Sequence, residues 1–306
     1  MNSATPPCQV SVVIGVHNAA SVINLCLGAL QEQVQVPNAE VIVADSSTDG
    51  TDQIIREQFP DVRLLHFEQP LTLAELRGKG IAIAKGNIIA VLDPYSVVDR
   101  HWLSELISVH AEIPNLIIGG TVELFNADQQ NLLTWAIYIN EYGMFMPPLE
   151  AGEMEILPGS NISYKREALF AGNDPKQAEF WKTFVNWELE QAGSGLWQAP
   201  SILVYLNKPI PFWDFFGTRF DHGRCFAGMR ASNLSPIERF IRALTSPLLP
   251  MVFLWRWGTR YWRKRRYRIQ FLLTLPLQIL LFSHWAWGEC LGYCFGIGQS
   301  RDRLFY

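Results

Sequence analysis

Three polar side chains, Asn18, Asp45 and Asp93, each stand just after a short β-branched, apolar run: VSVVIGV, EVIVA and NIIAVL. A carboxylate in such a place can accept the imide N–H of a base such as uracil, and a magnesium or manganese ion binds through one or two carboxylates plus substrate phosphates. Glu188 and Glu190 lie two residues apart on a helix-like stretch, so they point to different faces. Arg219, His222 and Arg224 fall within two helical turns, where guanidinium groups offer fixed bidentate donors to phosphate oxygens; a basic helix binding lipid headgroups uses the same residues. Blander uses stand beside these. Asp49 and Thr51 fit a turn and a helix cap, Asp99 fits the cap of a helix beginning near Arg100, and Arg77 and Lys79 fit solvated helix charges.

The elements that must position these residues alternate. From Val10 the chain runs VSVVIGV, a segment through Gln33, EVIVA, a helix after Asp49, VRLLHF, a helix from Leu73 to Lys85, and NIIAVL. That order predicts repeated βαβ units, hence an α/β fold: a mostly parallel sheet with helices on both faces and its ligand crevice at the carboxyl ends of the strands. A second half from Asn115 to about Lys208 carries LIIGGTVELF, an aromatic stretch from Trp135 to Phe145, the loop LPGSNISY and a helix around Trp187.

With 306 residues, 49% of them apolar and 18% charged, the chain is globular, neither disordered nor fibrous. The net charge of -4 conceals an asymmetry, because much of the Lys and Arg follows Arg219. Cys8, Cys26, Cys225, Cys290 and Cys294 show no metal-ligand spacing, which fits unpaired thiols in a reducing compartment. Met1 to Pro7 lacks the basic start and apolar run of a signal peptide, so the first domain is expected to stay on the side where it is made. Beyond Pro209 the character changes to ALTSPLLPMVFLWRWG, RYWRKRRYR and IQFLLTLPLQILLFSHWAWGECLGYCFGIG. The last stretch exceeds the roughly 20 apolar residues that span a bilayer, although His284 and Glu289 would be costly facing lipid. Arg260 to Arg268, beside Trp and Tyr, fits a cytoplasmic interface; the alternative is a buried helical pair with a solvated basic loop. The expected domains are 1–208 and 209–306.

VSVVIGVHNAA followed by EVIVADSSTDGT resembles the family-two glycosyltransferases. The resemblance implies their GT-A fold, a Rossmann-like mostly parallel sheet with C-terminal hydrophobic helices added here. It also implies a donor site that includes Val16, Asn18 and Asp45, although the family's usual leading Asp is Ala44. LAELRGKGIAIAKGNIIAVLD resembles the next block, which makes Arg77 a ligand of the base or diphosphate, with Gly78 where the family often has Asn. At LDPYSVVD the family's metal-holding Asp-x-Asp keeps Asp93 and replaces the second acid by Tyr95, so a divalent cation, Mg or Mn, would rest on Asp93 alone. IIGGTVEL, WAIYINEYGMFMPP and LPGSNISYKREAL resemble a bacterial subgroup with C-terminal hydrophobic segments. That subgroup implies a loop of Gly159, Ser160 and Asn161 beside the donor sugar, with Tyr138, Glu141 and Tyr142 at the acceptor pocket or in the core. TFVNWELEQAGSGLW lacks the family's usual Glu-Asp pair, which leaves Glu188 as the nearest candidate base and Glu190 as second. Arg219, His222 and Arg224 stand where the family places basic residues on the leaving diphosphate.

The function so implied is transfer of a sugar from a nucleotide-diphosphate donor to a lipid-linked or envelope-glycan acceptor, with inversion. The expected location is the cytoplasmic side of an inner membrane, and the expected partners are donor, acceptor and membrane, not nucleic acid. Ala44, Tyr95 and the missing Glu-Asp pair favour the rival, a membrane-attached scaffold that keeps the fold without activity. A nucleotidyltransferase would need a Gly-rich, Lys-bearing phosphate loop, which HNAA does not provide.

Overall fold

The β-branched runs become the central strands of a sheet in a computed structural model that describes residues 8–33, 38–170, 179–209, 211–301 and 303. In chain order the elements begin β1 (Val10–Val16), α1 (Ile23–Gln31), β2 (Ala39–Asp45), α2 (Thr51–Gln58), β3 (Arg63–His66), α3 (Leu73–Ile83), β4 (Ile88–Leu92), β5 (Ser96–Val98), α4 (Trp102–Glu112) and β6 (Ile117–Leu124). They continue with α5 (Leu132–Glu141), β7 (Gly152–Glu153), β8 (Asn161–Lys165), α6 (Arg166–Phe170), α7 (Lys182–Gln191), β9 (Leu196–Leu206), α8 (Phe212–Ala231), α9 (Pro236–Thr245), α10 (Leu249–Lys264) and α11 (Arg268–Phe295). The chain divides into two compact units. One holds residues up to Phe125 together with Phe145–Lys208, the other Asn126–Met144 and the residues from Pro209 onward.

The first unit carries the sheet, in the order β3-β2-β1-β4-β8-β6-β9-β5, with β7 on β9. The strands β3, β2, β1 and β4 run parallel, while β8 is antiparallel to both β4 and β6. β1, β4 and β6 are buried along their whole length, as strands covered on both faces must be. Val13, Ile42, Ile81, Ile89, Ile117, Ile162, Tyr164, Phe180 and Leu196 belong to one apolar cluster that joins sheet and helices. The helix starts have local causes. Thr72 and Glu75 form a reciprocal capping box at α3, and Asp49 accepts the Thr51 N–H at 3.1 Å to open α2. Asp99 accepts the His101 N–H at 3.1 Å just before α4, near the place expected of it.

The second unit is helical. Residues 126–144, counted with the first domain from the sequence, fold here, because the apolar face of α5 is completed by α11 and α10. Asn140 donates to Gln278 at 3.2 Å, Gln278 donates to the Ala136 carbonyl at 2.9 Å, and Trp257 donates to the Ile139 carbonyl at 2.8 Å. α8 and α11 approach closely at Gly288, where an added Cβ would lie 2.2 Å from the Phe220 carbonyl oxygen. Small residues permit such backbone contact between apolar helices. α11 is long and apolar enough to cross a membrane. Two of its polar residues have partners within the unit: Glu289 accepts from Arg230 at 3.0 Å and from Trp285 at 2.9 Å, and the His284 ring stacks on Phe216. On α9, α10 and the turn between them, by contrast, Ile237, Phe240, Leu244, Leu248, Met251 and Trp255 recur at helical spacing and are exposed, Trp255 by 71%.

Candidate active site

Asp93 directly follows β4 at the carboxyl edge of the sheet, where ligands of such folds bind. Its carbonyl accepts the Ser96 N–H at 3.0 Å, which closes the turn to β5 and fixes the carboxylate at the strand tip. One oxygen, Oδ1, accepts from Arg77 Nη2 at 2.6 Å and from Lys182 Nζ at 3.0 Å. The other, Oδ2, accepts from the Tyr95 hydroxyl at 3.0 Å. The Lys208 ammonium, just beyond β9, lies 4.9 Å from the centre of the Tyr95 ring. Two cations thus share one carboxylate oxygen, with Lys208 set against the neighbouring Tyr95 ring, and the side chains of Asp93 and Lys182 are only 7% and 8% exposed.

Each member is placed by its element. Arg77 reaches Asp93 because α3 lies tight on β1: a Cβ on Gly15 would sit 3.2 Å from Arg77 Cγ. Lys182 lies on the same face of α7 as Val185, Asn186 and Leu189, all buried. That face is held by Phe180 N–H donating to the Ala74 carbonyl at 2.8 Å and by Tyr164 OH donating to Asn186 at 2.8 Å. Burial alone would raise the Asp93 carboxyl, but Lys182 and Arg77 outweigh it and hold the group ionised well below the usual carboxylate range. Burial and the neighbouring Arg77 press on Lys182 in the opposite sense, drawing its ammonium below the ordinary lysine range while Asp93 partly restores it. The cluster carries more positive charge than its one carboxylate balances, so an incoming anion relieves it.

The other expected donor residues are distributed differently. Asp45 is fully buried. It accepts from the Ser47 N–H at 3.2 Å and from the Ser47 hydroxyl, and its Oδ2 lies 2.6 Å from His66 Nδ1. It therefore braces the β2 turn against β3 instead of standing open to a base. Val16 is buried too, and its carbonyl accepts the Ser46 N–H at 3.1 Å. Asn18 is exposed at φ 51 and accepts the Thr48 N–H at 2.9 Å, which joins the two strand-end loops. Gly159 adjoins the cluster, since a Cβ there would come within 3.9 Å of Lys182 Nζ. Asn161, expected beside the donor sugar, has its amide engaged within the sheet. Only 1% exposed, it donates to the carbonyls of Thr121 at 2.9 Å and Ile202 at 2.7 Å and accepts from Trp102 at 3.0 Å, so its hydrogen-bonding groups knit the sheet. Glu188 is exposed on α7 and does not share the face that carries Lys182.

Arg219, His222 and Arg224 lie on α8 of the second unit. Arg219 is buried with its guanidinium 4.5 Å from the Phe215 ring centre and 2.8 Å from His222 Nδ1, and Arg224 donates to the Gly296 carbonyl at 3.2 Å. The first two contacts lie within α8, whereas Arg219 over the Trp285 ring at 5.3 Å and the Arg224 bond tie α8 to α11 and its C-terminal end. Tyr138 and Tyr142 are core residues of the same unit. Sequence reasoning missed Lys182 and Lys208. The signals were a lysine on the apolar face of a helix and a lysine just after a strand end.

For a metal, Asp45, Asp52 and His66 place ligand atoms within 4.8 Å of one another, close enough to share an ion, although Asp45 and His66 already pair directly. Asp93 fits an ion poorly. A carboxylate has about four lone-pair positions, and three here are filled by Arg77, Lys182 and Tyr95. Cavity size does not mark the site: the one of about 750 Å³ lined by Gln9, Asn87 and Lys165 opens at the opposite ends of the strands.

The architecture is that of the GT-A-fold glycosyltransferases. A mannosyltransferase from Pyrobaculum calidifontis, PcManGT, solved with GDP-Man and Mn2+, aligns with TM-score 0.58 over 94% of this chain and 87% of its own, at 17% identity. Residues 1–349 of TarS from S. aureus align with TM-score 0.51 over 96% and 91% at 14% identity. The fold therefore accommodates a divalent cation, as in the PcManGT structure. The chain belongs to glycosyl transferase family 2, which matches residues 11–170, just over half of its length. Glycosyltransferase AglE of Haloferax volcanii is 32% identical over 119 residues, 37% of this chain and 39% of AglE. Glycosyltransferase GlyG of Streptococcus pneumoniae serotype 4 is 26% identical over 126 residues, 40% of this chain and 41% of GlyG. A glucosyl-dolichyl phosphate glucuronosyltransferase of Haloferax volcanii is 26% identical over 148 residues, 44% and 45% of the two chains. The chain thus spans less than half the length of these relatives.

Proposed function

We propose that this protein transfers a hexose from a nucleotide-diphosphate donor to a lipid-linked or envelope-glycan acceptor, with inversion. The observation that carries the reading is the buried pair of Arg77 and Lys182 on the Asp93 carboxylate at the carboxyl edge of a family-two sheet. A diphosphate placed there meets fixed cations that stabilise the charge developing as the bond to the sugar breaks. Gly159 gives the donor sugar a place to approach Lys182, and the loops at Asn18 and after Asp45 form the base end. One relative is named for a dolichyl-phosphate acceptor, which supports a lipid-linked acceptor here.

Attachment to the cytoplasmic face of an inner membrane belongs to the same proposal. The exposed apolar stripe on α9 and α10, the arginines from Arg260 to Arg268 and the span-length α11 support it. Glu188 is the candidate base.

The test is release of nucleoside diphosphate from labelled UDP-, GDP- and dTDP-sugars in the presence of a bacterial lipid extract, with the Glu188→Gln variant in parallel. Acceptor-dependent release that the variant loses supports transfer. Binding of donor without any release favours the second reading, a protein that binds nucleotide-sugars without turnover. The position of Glu188 away from the Lys182 face speaks for that reading.

A further inference from the structure

We infer that the donor's diphosphate is held by fixed side-chain cations, Arg77 and Lys182, which take the place of a divalent ion, so that donor binding needs no metal. The inference rests on the nucleotide-sugar reading above and goes further, to how the charge is neutralised.

Three observations carry it. First, the carboxylate that would ligate an ion is occupied: Oδ1 of Asp93 takes two donors, from Arg77 at 2.6 Å and Lys182 at 3.0 Å, and Oδ2 takes the Tyr95 hydroxyl at 3.0 Å. An ion would have to displace a buried ammonium or guanidinium to gain more than one contact. Second, Tyr95 stands where a second acid would complete a metal site, and it offers Asp93 a proton instead of offering a metal a lone pair. Third, cations already stand at the site: Arg77 and Lys182 outnumber the single carboxylate of Asp93, so positive charge is left to meet a diphosphate without an ion. Donor groups remain to receive phosphate oxygens: Arg77 Nε has no hydrogen-bond partner, nor does the hydroxyl of the buried Ser160 beside Gly159. In a site shielded from water such cations act strongly and are already in position when the leaving group departs.

The experiment is calorimetric titration of UDP, GDP, ADP, CDP and dTDP into the full chain in mild detergent. It is run once with EDTA and once with manganese, for the wild type and for Lys182→Met. One nucleoside diphosphate should bind in EDTA within about threefold of its affinity in manganese, a difference under about 0.7 kcal/mol. Lys182→Met should weaken that binding by about tenfold or more, the effect of losing one charged hydrogen bond. The wild-type comparison stands without the variant, so misfolding of Lys182→Met does not blur it. Binding that appears only with manganese overturns the inference and leaves the donor reading intact. Absence of binding by every nucleotide in both conditions overturns the two together.

Discussion

Replacing Asp93 by Asn removes one charge and almost no volume, and it leaves Arg77 and Lys182 buried against each other. In the native site Lys182 Nζ is 3.0 Å and Arg77 Nη2 2.6 Å from the same carboxylate oxygen. At an effective dielectric constant of about 20, one such contact corresponds to roughly 5 kcal/mol of attraction before desolvation is counted. Once the carboxylate is neutral, desolvation of both cations continues and the attraction does not, so breaking the pair costs about 3–5 kcal/mol. Lys182→Met is different. Asp93 then keeps Arg77 and the Tyr95 hydroxyl, and a well-packed apolar side chain replaces a charge that was costly to bury, so the change should stay within about 1 kcal/mol. The double variant should be more stable than Asp93→Asn alone, because only one cation remains without a counter-charge.

Tryptophan emission during heating of the detergent-solubilised chain measures this order. At about 2–4 °C per kcal/mol for a domain of this size, Asp93→Asn should lower Tm by about 6–20 °C and Lys182→Met by less than about 4 °C. Equal losses for the two single variants, or a double variant below Asp93→Asn, would falsify the arrangement of one anion shared between two cations.

Other consequences can be measured separately. His110 is buried, with Nε2 2.7 Å from Ser163 Oγ, and burial presses its pKa down to about 3. The unfolded chain takes up that proton first, at an ordinary value near ~6.5, so stability is full above that pH. It should fall by up to ~1.4 kcal/mol per unit as pH drops toward 3, and a Tm-versus-pH slope in His110→Gln as steep as in the wild type would exclude His110 as the cause. Gly288→Leu drives a side chain into the Phe220 carbonyl, so limited proteolysis should cut α8 and α11 far faster than in the wild type; unchanged digestion would contradict the close crossing. Phe240→Glu with Trp255→Glu alters only exposed positions, so Tm should hold while co-sedimentation with anionic vesicles drops several-fold. Retained sedimentation would remove the α9–α10 stripe from the membrane contact.

How much of this was legible in the sequence depended on the range of the interactions involved. β1, β2 and β4 follow their β-branched runs to within a residue or two, because a strand buried on both faces admits little else. The helix read from Leu73 to Lys85 ends at Ile83, a fraying difference. The antiparallel β8 between β4 and β6 was not readable, since its pairing is decided by residues about 45 to 75 positions away. That residues 126–144 pack in the helical unit was not readable for a similar reason: an aromatic helix face looks the same whichever core receives it. At the site, Asp93 and Arg77 could be placed from strand-end position and resemblance. Lys182 could not, because a lysine in a helix is expected in water, and only the fold shows α7 turning it inward.

The change from acid to Tyr95 illustrates why position and chemistry have to be read separately. The strand end fixes where phosphate charge must be neutralised, because β4 and β9 both deliver their last residues to one edge of the sheet. It does not fix the means. An ion needs converging lone pairs, and once a hydroxyl donor replaces one carboxylate the remaining carboxylate attracts the nearest cations instead. Its own charge then balances only one of Arg77 and Lys182, and on the proposed reading the remaining positive charge meets the anion. Asp93 on this account organises the cations and need not touch the substrate, which is why its loss should register first in folding stability and the loss of Lys182 first in nucleotide affinity.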